Sequence, residues 1–453
     1  MAITRRQFVT HLGTLAAAMG MSQVDIAKVV EAFGHGSVWA GSWTSKPKVV
    51  WVHGAECTGC STSLLSLFED VRGVAVEGTS ISTLAALDLA VGGTGNGSKV
   101  LAASAGHPSG HRTLNGAGLD VDGAANSSPY IANIADVLVD FIDLQYHETV
   151  MGMGGSLAYE WLNDLRGDTA LDSAPFVLVV EGAIQPADGG GYWNRTGTAS
   201  WCSIGMAENG SAEHGFDAVV RDLATHQKCA AIIPIGQCAC FGGYPACVSP
   251  VLGAGQTGAM GTYEFLTTKC GLPGQAAAGK VVNVPGCPTN PWWFVLTVVA
   301  WLVDFVSTSS VGSTGPLGII KRVSAIGADP QNVIGIQLVP SAVDRQHRLK
   351  KVYALPLHGP FCTRAAARDA NQFATQPGDP GCLQLIGCKG PQTMTLCGVH
   401  GWNGQQPRND ATYDYGVGAT NSGKGGNCVA AGHPCMACTE QGYPDAFLPF
   451  ITR

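Results

Sequence analysis

The sequence predicts an α/β protein: a parallel sheet with helices packed on it, followed by a mostly irregular C-terminal region. Three observations predict this. Short, continuous apolar runs alternate with helix-spaced segments between Val49 and Val306. Cysteines stand directly after several of those runs. From Leu355 onward the periodicity fades, and Gly, Pro, Cys and Asn dominate.

Taken in order, the chain opens with Thr4-Arg5-Arg6-Gln7-Phe8-Val9 and a short apolar stretch, Leu12 to Met21. Paired arginines before a run of that length fit a twin-arginine export signal, with residues 1–45 as the leader. The plainer reading is a basic amphipathic helix. The run falls short of the ~20 residues that a membrane-crossing helix needs. Val49 to Val52 reads as the first strand and Ser61 to Glu69 as a helix. Residues 92–128 turn rich in Gly, Ser and Asn, and an insertion of about 84–134 is expected at the surface. Phe176 to Val180 is a second strand. Phe216 to Thr225 has helical spacing and leads into a third strand, Ala230 to Ile235. Val281 to Val284 is a fourth, followed by an apolar helix over 291–306 with Asn290 as its cap and Pro291 in its first turn. At 1.5 Å per residue the run from Trp292 to Val306 reaches ~22 Å, short of a ~30 Å hydrocarbon core, so it is expected to be buried in protein. The last residue, Arg453, follows no hydrophobic tail, so no membrane anchor is expected from this chain. The expected domains are 46–310 for the sheet and 340–453 for the C-terminal region.

Composition narrows the partners. The chain has 453 residues, 26 Lys+Arg, 33 Asp+Glu, 61 Gly and 16 Cys. Charged residues make up 13%, about half the usual ~25%, so much of the surface is expected to be covered by a partner. A net charge of −7 without basic blocks argues against nucleic acid. Sixteen cysteines are too sparse for a small disulfide scaffold, and their clustering reads as metal ligation.

The cysteines form three groups. Cys57 and Cys60 follow the first strand, Cys238 the third and Cys287 the fourth. In an open α/β sheet such strand ends converge on one crevice. Four thiolates there match a 4Fe–4S cluster. A lone Cys-x-x-Cys would be weak and could mean zinc or redox chemistry; three strand-end groups are stronger. The second group is His358, Cys362, Cys382 and Cys388, with an imidazole in place of one thiolate. The third is Cys397, Cys428, Cys435 and Cys438, again four thiolates, for which zinc is the alternative. Cys202, Cys229, Cys240, Cys247 and Cys270 are expected to be buried free thiols, Cys240 near the first group without joining it. A C-terminal region of ~100 residues with so little periodicity needs clusters to hold it.

These residues resemble the small, electron-transferring subunit of nickel–iron hydrogenases. The resemblance rests on Glu56-Cys57-Thr58-Gly59-Cys60, on 146–151 (Tyr-His-Glu-Thr-Val-Met) and 180–184 (Val-Glu-Gly-Ala-Ile), and on Gly-Gln-Cys-Ala at 236–239. It continues through Pro-Gly-Cys-Pro at 285–288, Gly-Cys-Lys-Gly-Pro at 387–391, Trp402-Asn403, and Ala-Gly-His-Pro-Cys-Met-Ala-Cys at 431–438. It implies a flavodoxin-like domain followed by a cluster domain. It implies a proximal cluster on Cys57, Cys60, Cys238 and Cys287, a medial one on Cys397, Cys428, Cys435 and Cys438, and a distal one on His358, Cys362, Cys382 and Cys388. The nickel–iron site is expected in a large partner subunit, and electrons are expected to leave for an external acceptor such as a cytochrome or a membrane quinone-reducing subunit. The implied location is the periplasm or the outer face of the cytoplasmic membrane. Glu56 is a candidate for a proton path.

Three departures from the family pattern matter. Cys428 stands where many members have proline and a three-iron medial cluster, so three 4Fe–4S clusters are expected here. The distal pair is His-x-x-x-Cys where His-x-x-Cys is common. Gly59 and Gly243 occupy the positions where certain oxygen-tolerant members carry two additional cysteines. The alternatives are an iron–sulfur subunit of a related respiratory NADH–quinone oxidoreductase, a stand-alone ferredoxin-like carrier, and a non-redox zinc protein.

Overall fold

The structure is a computed structural model that describes residues 48–65, 114–115, 118–119, 142–167, 175–187, 202–248, 257–272, 277–308, 310–315, 317–323, 335–353, 356–359, 362–400, 402 and 427–452. The arginine pair, the apolar stretch after it, residues 66–69, Asn403 and nearly all of the expected insertion lie outside the described residues. Within the insertion, Leu114–Asn115 and Gly118–Leu119 form a two-residue antiparallel ladder.

Four parallel strands make the central sheet: β1 (Lys48–His53), β2 (Asp143–His147), β3 (Phe176–Glu181) and β4 (Cys229–Ile235). Their order is β2-β1-β3-β4. The segment 281–284 extends the sheet beyond β4 through parallel bridges, Ile232 to Val281 and Ile235 to Val284. Counting it fifth gives the order 2-1-3-4-5 of flavodoxin-like folds. The expected fourth strand is therefore a bridged edge segment. The sequence reading does not identify β2, whose Asp-Leu-Gln-Tyr-His has no apolar run and carries only a five-residue alternation of polar and apolar residues.

Both faces of the sheet are covered, which is why its inner strands read as unbroken apolar runs. Val49, Trp51, Val177, Val179 and Ile233 point to one face and pack with Trp293, Trp301 and Phe305 of helix Pro291–Ser307. Val50, Val52, Leu178, Val180 and Ile232 point to the other, against helices Gly155–Arg166 and Phe216–Thr225. In chain order the helices are α1 (Gly59–Leu65), α2 (Gly155–Arg166), α3 (Phe216–Thr225), α4 (Gly236–Phe241), α5 (Thr262–Thr268) and α6 (Pro291–Ser307). No helix among the described residues is long and apolar enough to cross a membrane. α6 is fixed at its far end by Asp304, a fully buried carboxylate. It accepts the backbone N–H groups of Leu317 at 2.6 Å and Ile320 at 3.1 Å, and that of Ile319. These bonds keep a buried charge satisfied and clamp the loop after the helix.

After Pro356 the described residues form only short helical turns, among them Ala365–Asp369, Leu383–Ile386 and Cys397–His400. The small core here is Leu357, Cys362, Ala374, Leu383, Ile386, Val429 and Cys435. Two of those seven residues are cysteines, so sulfur replaces hydrocarbon as the packing material. A buried polar joint ties this region to the sheet. Arg348 pairs with Asp344 at 2.8 Å and Glu440 at 2.9 Å. Glu440 also takes the Met394 N–H at 2.6 Å, and its carbonyl takes the Gln237 side-chain amide at 2.8 Å.

Candidate functional site

Strand register delivers the first set. His147, His53, Glu181, Ile235 and Val284 end β2, β1, β3, β4 and the bridged segment along one edge. The chain reverses direction across the sheet between β1 and β3, the topological switch point where open α/β sheets hold their ligands. Cys57 lies in the turn after β1 and Cys60 in the first turn of α1; Cys238 is in α4, directly after β4; Cys287 follows the bridged segment. Cys238 thus follows its strand as expected, but on a short helix. All four thiols are close enough to act on one another's charge. Burial first, and the neighbouring sulfurs after it, push Cys238 up to about 12 and Cys287 up to about 11. Cys60 is pushed well up, by burial first and then by Glu181 and the same sulfurs. Four crowded sulfurs, with Cys60, Cys238 and Cys287 resisting ionisation alone, are what a cationic iron core would hold as thiolates.

The surrounding backbone is cut to this set. Gly236 has φ +85°, and a Cβ there would lie 2.4 Å from the Cys60 sulfur. Only glycine adopts that conformation freely and leaves the sulfur its room. The Thr289 N–H reaches the Cys60 sulfur at 3.4 Å, as a cluster ligand's sulfur would require. Gly59 and Gly243 also abut the set: a Cβ would come within 2.9 Å of the Cys57 sulfur and 3.0 Å of the Cys238 sulfur, respectively. Both positions adjoin the thiols and neither carries sulfur.

Behind these cysteines lies a buried polar network that residue spacing did not reveal, except for Glu56. The Glu181 carboxylate accepts from Trp51 Nε1 at 3.1 Å, from Ser61 N–H at 3.0 Å and from Ser61 Oγ at 2.6 Å. Glu56 meets His53 Nδ1 at 3.2 Å and accepts from Thr58 Oγ1 at 3.1 Å. Burial opposes a charge on His53, but the Glu56 hydrogen bond and the fields of Glu181 and Glu148 outweigh it and raise its pKa. His147 lies against the Ser61 hydroxyl at 3.3 Å and goes the other way, down to about 3, through burial and then the His53 charge. The network therefore pairs one proton-holding imidazole with one that stays neutral. The signal that could have found it is the ionisable residue ending each of three adjacent strands.

The second and third sets are likewise brought together. Cys397, Cys428, Cys435 and Cys438 act on one another's charge, and burial pushes Cys397 up to about 12. His358, Cys362, Cys382 and Cys388 line one small cleft, with Arg364 on its wall. His358 Nε2 is buried and has no hydrogen-bond partner among the described residues. An orphaned imidazole nitrogen in a cavity with three sulfurs fits a metal ligand, and the extra residue between His358 and Cys362 does not keep them apart. Adjacent sets are joined through backbone amides. The Cys287 N–H serves the Cys438 sulfur, and the Cys435 N–H donates to the Cys388 sulfur at 3.3 Å. Trp402 closes the first set from outside, its Nε1 donating to the Cys287 carbonyl at 3.2 Å.

The five other cysteines join none of the three sets, although Cys240 lies close enough to Cys238 to feel its charge. Cys229 and Cys240 are buried, and their thiols donate to the carbonyls of Ala231 and Pro234. Cys202, Cys247 and Cys270 are partly exposed, against the expectation of buried thiols.

Comparison with known proteins adds two family matches. Residues 128–301 match the model of the NADH ubiquinone oxidoreductase 20 kDa subunit, and residues 353–413 match that of the C-terminal part of the NiFe/NiFeSe hydrogenase small subunit. The small subunit of the periplasmic [NiFeSe] hydrogenase of Desulfomicrobium baculatum is 25% identical over 457 aligned residues, covering 99% of each chain. The hydrogenase-2 small chain of Escherichia coli K12 is 25% identical, over 97% of this chain and 77% of its own. The periplasmic [NiFe] hydrogenase small subunit 1 of Nitratidesulfovibrio vulgaris is 24% identical, over 99% of this chain and 93% of its own. The crystal structure of the reduced, active Ni-Fe-Se hydrogenase from Desulfomicrobium baculatum shares the fold, with a TM-score of 0.53 at 24% identity over 90% of this chain and 98% of that one.

Proposed function

We infer that this chain, a relative of nickel–iron hydrogenase small subunits over nearly all its length, is the electron-transfer subunit of such an enzyme. The observation that carries this reading is the row of three four-ligand sets, each adjacent pair bridged by a backbone amide. Hydrogen would be split at a nickel–iron site in a large partner subunit. In this chain Cys57, Cys60, Cys238 and Cys287 would hold the proximal cluster, and Cys397, Cys428, Cys435 and Cys438 the medial one. His358, Cys362, Cys382 and Cys388 would hold the distal one. Iron–sulfur clusters supply reversible one-electron storage. The protein's part is to fix their spacing, bury them and donate N–H groups to their sulfurs. Four thiolates in the medial set favour 4Fe–4S over 3Fe–4S there. Glu56 and His53 would give protons a foothold beside the proximal cluster. The finer assignments are the leader and twin-arginine export of residues 1–45, a periplasmic location, domains at 46–310 and 340–453, and a cytochrome or quinone-reducing subunit as acceptor.

A second reading has its own support. The match to an NADH ubiquinone oxidoreductase subunit over residues 128–301 fits an electron-transfer subunit of a respiratory complex. The hydrogenase-type match over 353–413 and the cysteines from Cys362 to Cys438 weigh against it.

The test is metal analysis of the complex purified without oxygen. About twelve irons and as many acid-labile sulfides are expected in this chain, from three four-iron sites. A colourless, sulfide-free chain would defeat the reading. Cys428→Pro should turn the medial site into a three-iron species seen by electron paramagnetic resonance, and an unchanged spectrum would remove Cys428 from the ligand set.

A further inference from the structure

Two arginines among the described residues are almost fully buried, Arg348 at 2% exposure and Arg364 at 6%, and they are treated very differently. Arg348 faces two carboxylates. Arg364 faces none among the described residues. Its Nε donates to the Val429 carbonyl at 2.8 Å, and its Nη1 to the carbonyls of Asp379 and Gly381, both at 2.6 Å. Its Nη2 is buried with no partner among the described residues. The guanidinium forms part of the wall of the cavity that His358, Cys362, Cys382 and Cys388 line. Three carbonyls hold it rigidly there, and none of them neutralises it. A buried cation with an idle N–H2 group is costly unless an anion completes it.

We propose that Arg364 is the built-in counter-charge of the distal cluster, its Nη2 donating to a cluster sulfur and its charge raising that cluster's reduction potential. This rests on the reading of the distal set as a cluster site. A fixed positive charge favours the more negative, reduced cluster, so the end of the row becomes the place where an electron comes to rest. Arg364 is thus a positioning and tuning residue. Arg368 also donates to the His358 carbonyl, but it is paired with Asp369 at 2.9 Å and is more exposed, so it contributes less.

The experiment is a redox titration of the distal cluster in the purified complex, followed by electron paramagnetic resonance, for the wild type, Arg364→Gln and Arg364→Lys. Gln should lower the reduced-to-oxidised ratio at the wild-type midpoint by about tenfold, equal to about 59 mV for one electron. Lys, which keeps the charge, should recover most of it. A Gln variant that titrates with the wild type overturns the proposal, and so does a Lys variant that shifts as far as Gln. Should Gln prevent the cluster from assembling, the wild type itself decides. Complex labelled with [15N]arginine should show a 15N coupling at the reduced distal cluster, lost in Arg364→Lys and kept in Arg368→Lys. Its absence overturns the proposal. A wild-type complex with no distal cluster signal at all would instead overturn the functional reading on which the proposal rests.

Discussion

The sheet half and the C-terminal half hold sulfur in opposite ways. In the first, cysteines are guests at the rim of a conventional core: strands Val49–Val52 and Val177–Val180 would pack against α2, α3 and α6 whether or not Cys57 or Cys238 bound anything. In the second, the cysteines are built into the core, since Cys362 and Cys435 are buried members of its small apolar cluster and Cys388 and Cys397 pack on it. One half has a fold that positions ligands; the other has ligands that position a fold. Metal binding should therefore be optional for structure in one and obligatory in the other.

The strongest way to break this contrast is to remove iron under reducing conditions and follow backbone hydrogen exchange. Residues 362–400 and 427–452 should lose nearly all protection, while strands 176–181 and 229–235 keep theirs. Equal loss in both halves would end the distinction. Next in size is Arg348→Met at the joint between the halves. It leaves Glu440 buried without its cation, and about 3–5 kcal/mol should be lost in denaturant unfolding. A loss under about 1 kcal/mol would mean the joint is dispensable. Gly236→Ala sharpens the comparison on the sheet side. Its methyl group would press on the Cys60 sulfur, so about a third of the iron should be missing while the circular dichroism of the sheet stays unchanged. Smallest is a pH effect confined to the sheet half. His147 has its pKa lowered to about 3, so the fold prefers it neutral. Its contribution is present above the ordinary histidine value of ~6.5 and is lost as pH falls toward 3. His53, raised, has the opposite sign, so the difference between the wild type and His147→Gln isolates the term. The variant should show the flatter acid limb in unfolding measured from about pH 7 to about pH 4.

The same contrast explains what could be read without coordinates. Strands buried on both faces announce themselves as Val-Val-Trp-Val or Phe-Val-Leu-Val-Val, and cysteine spacing announced all three sets. β2 stayed hidden because an edge strand has one sheet neighbour and its Asp143, Gln145 and His147 break any apolar run. α2 was legible in principle, with Leu157, Ala158, Trp161, Leu162 and Leu165 at helical spacing, yet the insertion before it obscured where the sheet resumed. The Glu181 network left only a faint trace, the ionisable residue ending each of three strands, because its members come from those strands and α1 and meet only through register. Arg364 was invisible for a related reason: its importance lies in the carboxylate that is not beside it.

The amides of Cys287 and Cys435, each lent by a residue of one set to a sulfur of the next, have a further consequence. If the three sets hold the clusters proposed above, the link between neighbouring stations is made of peptide groups belonging to the ligands themselves. No side-chain replacement elsewhere can insulate such a link without first dismantling a station. The surroundings of the row would then be open to wide variation, in keeping with 25% identity to a relative aligned over 99% of each chain.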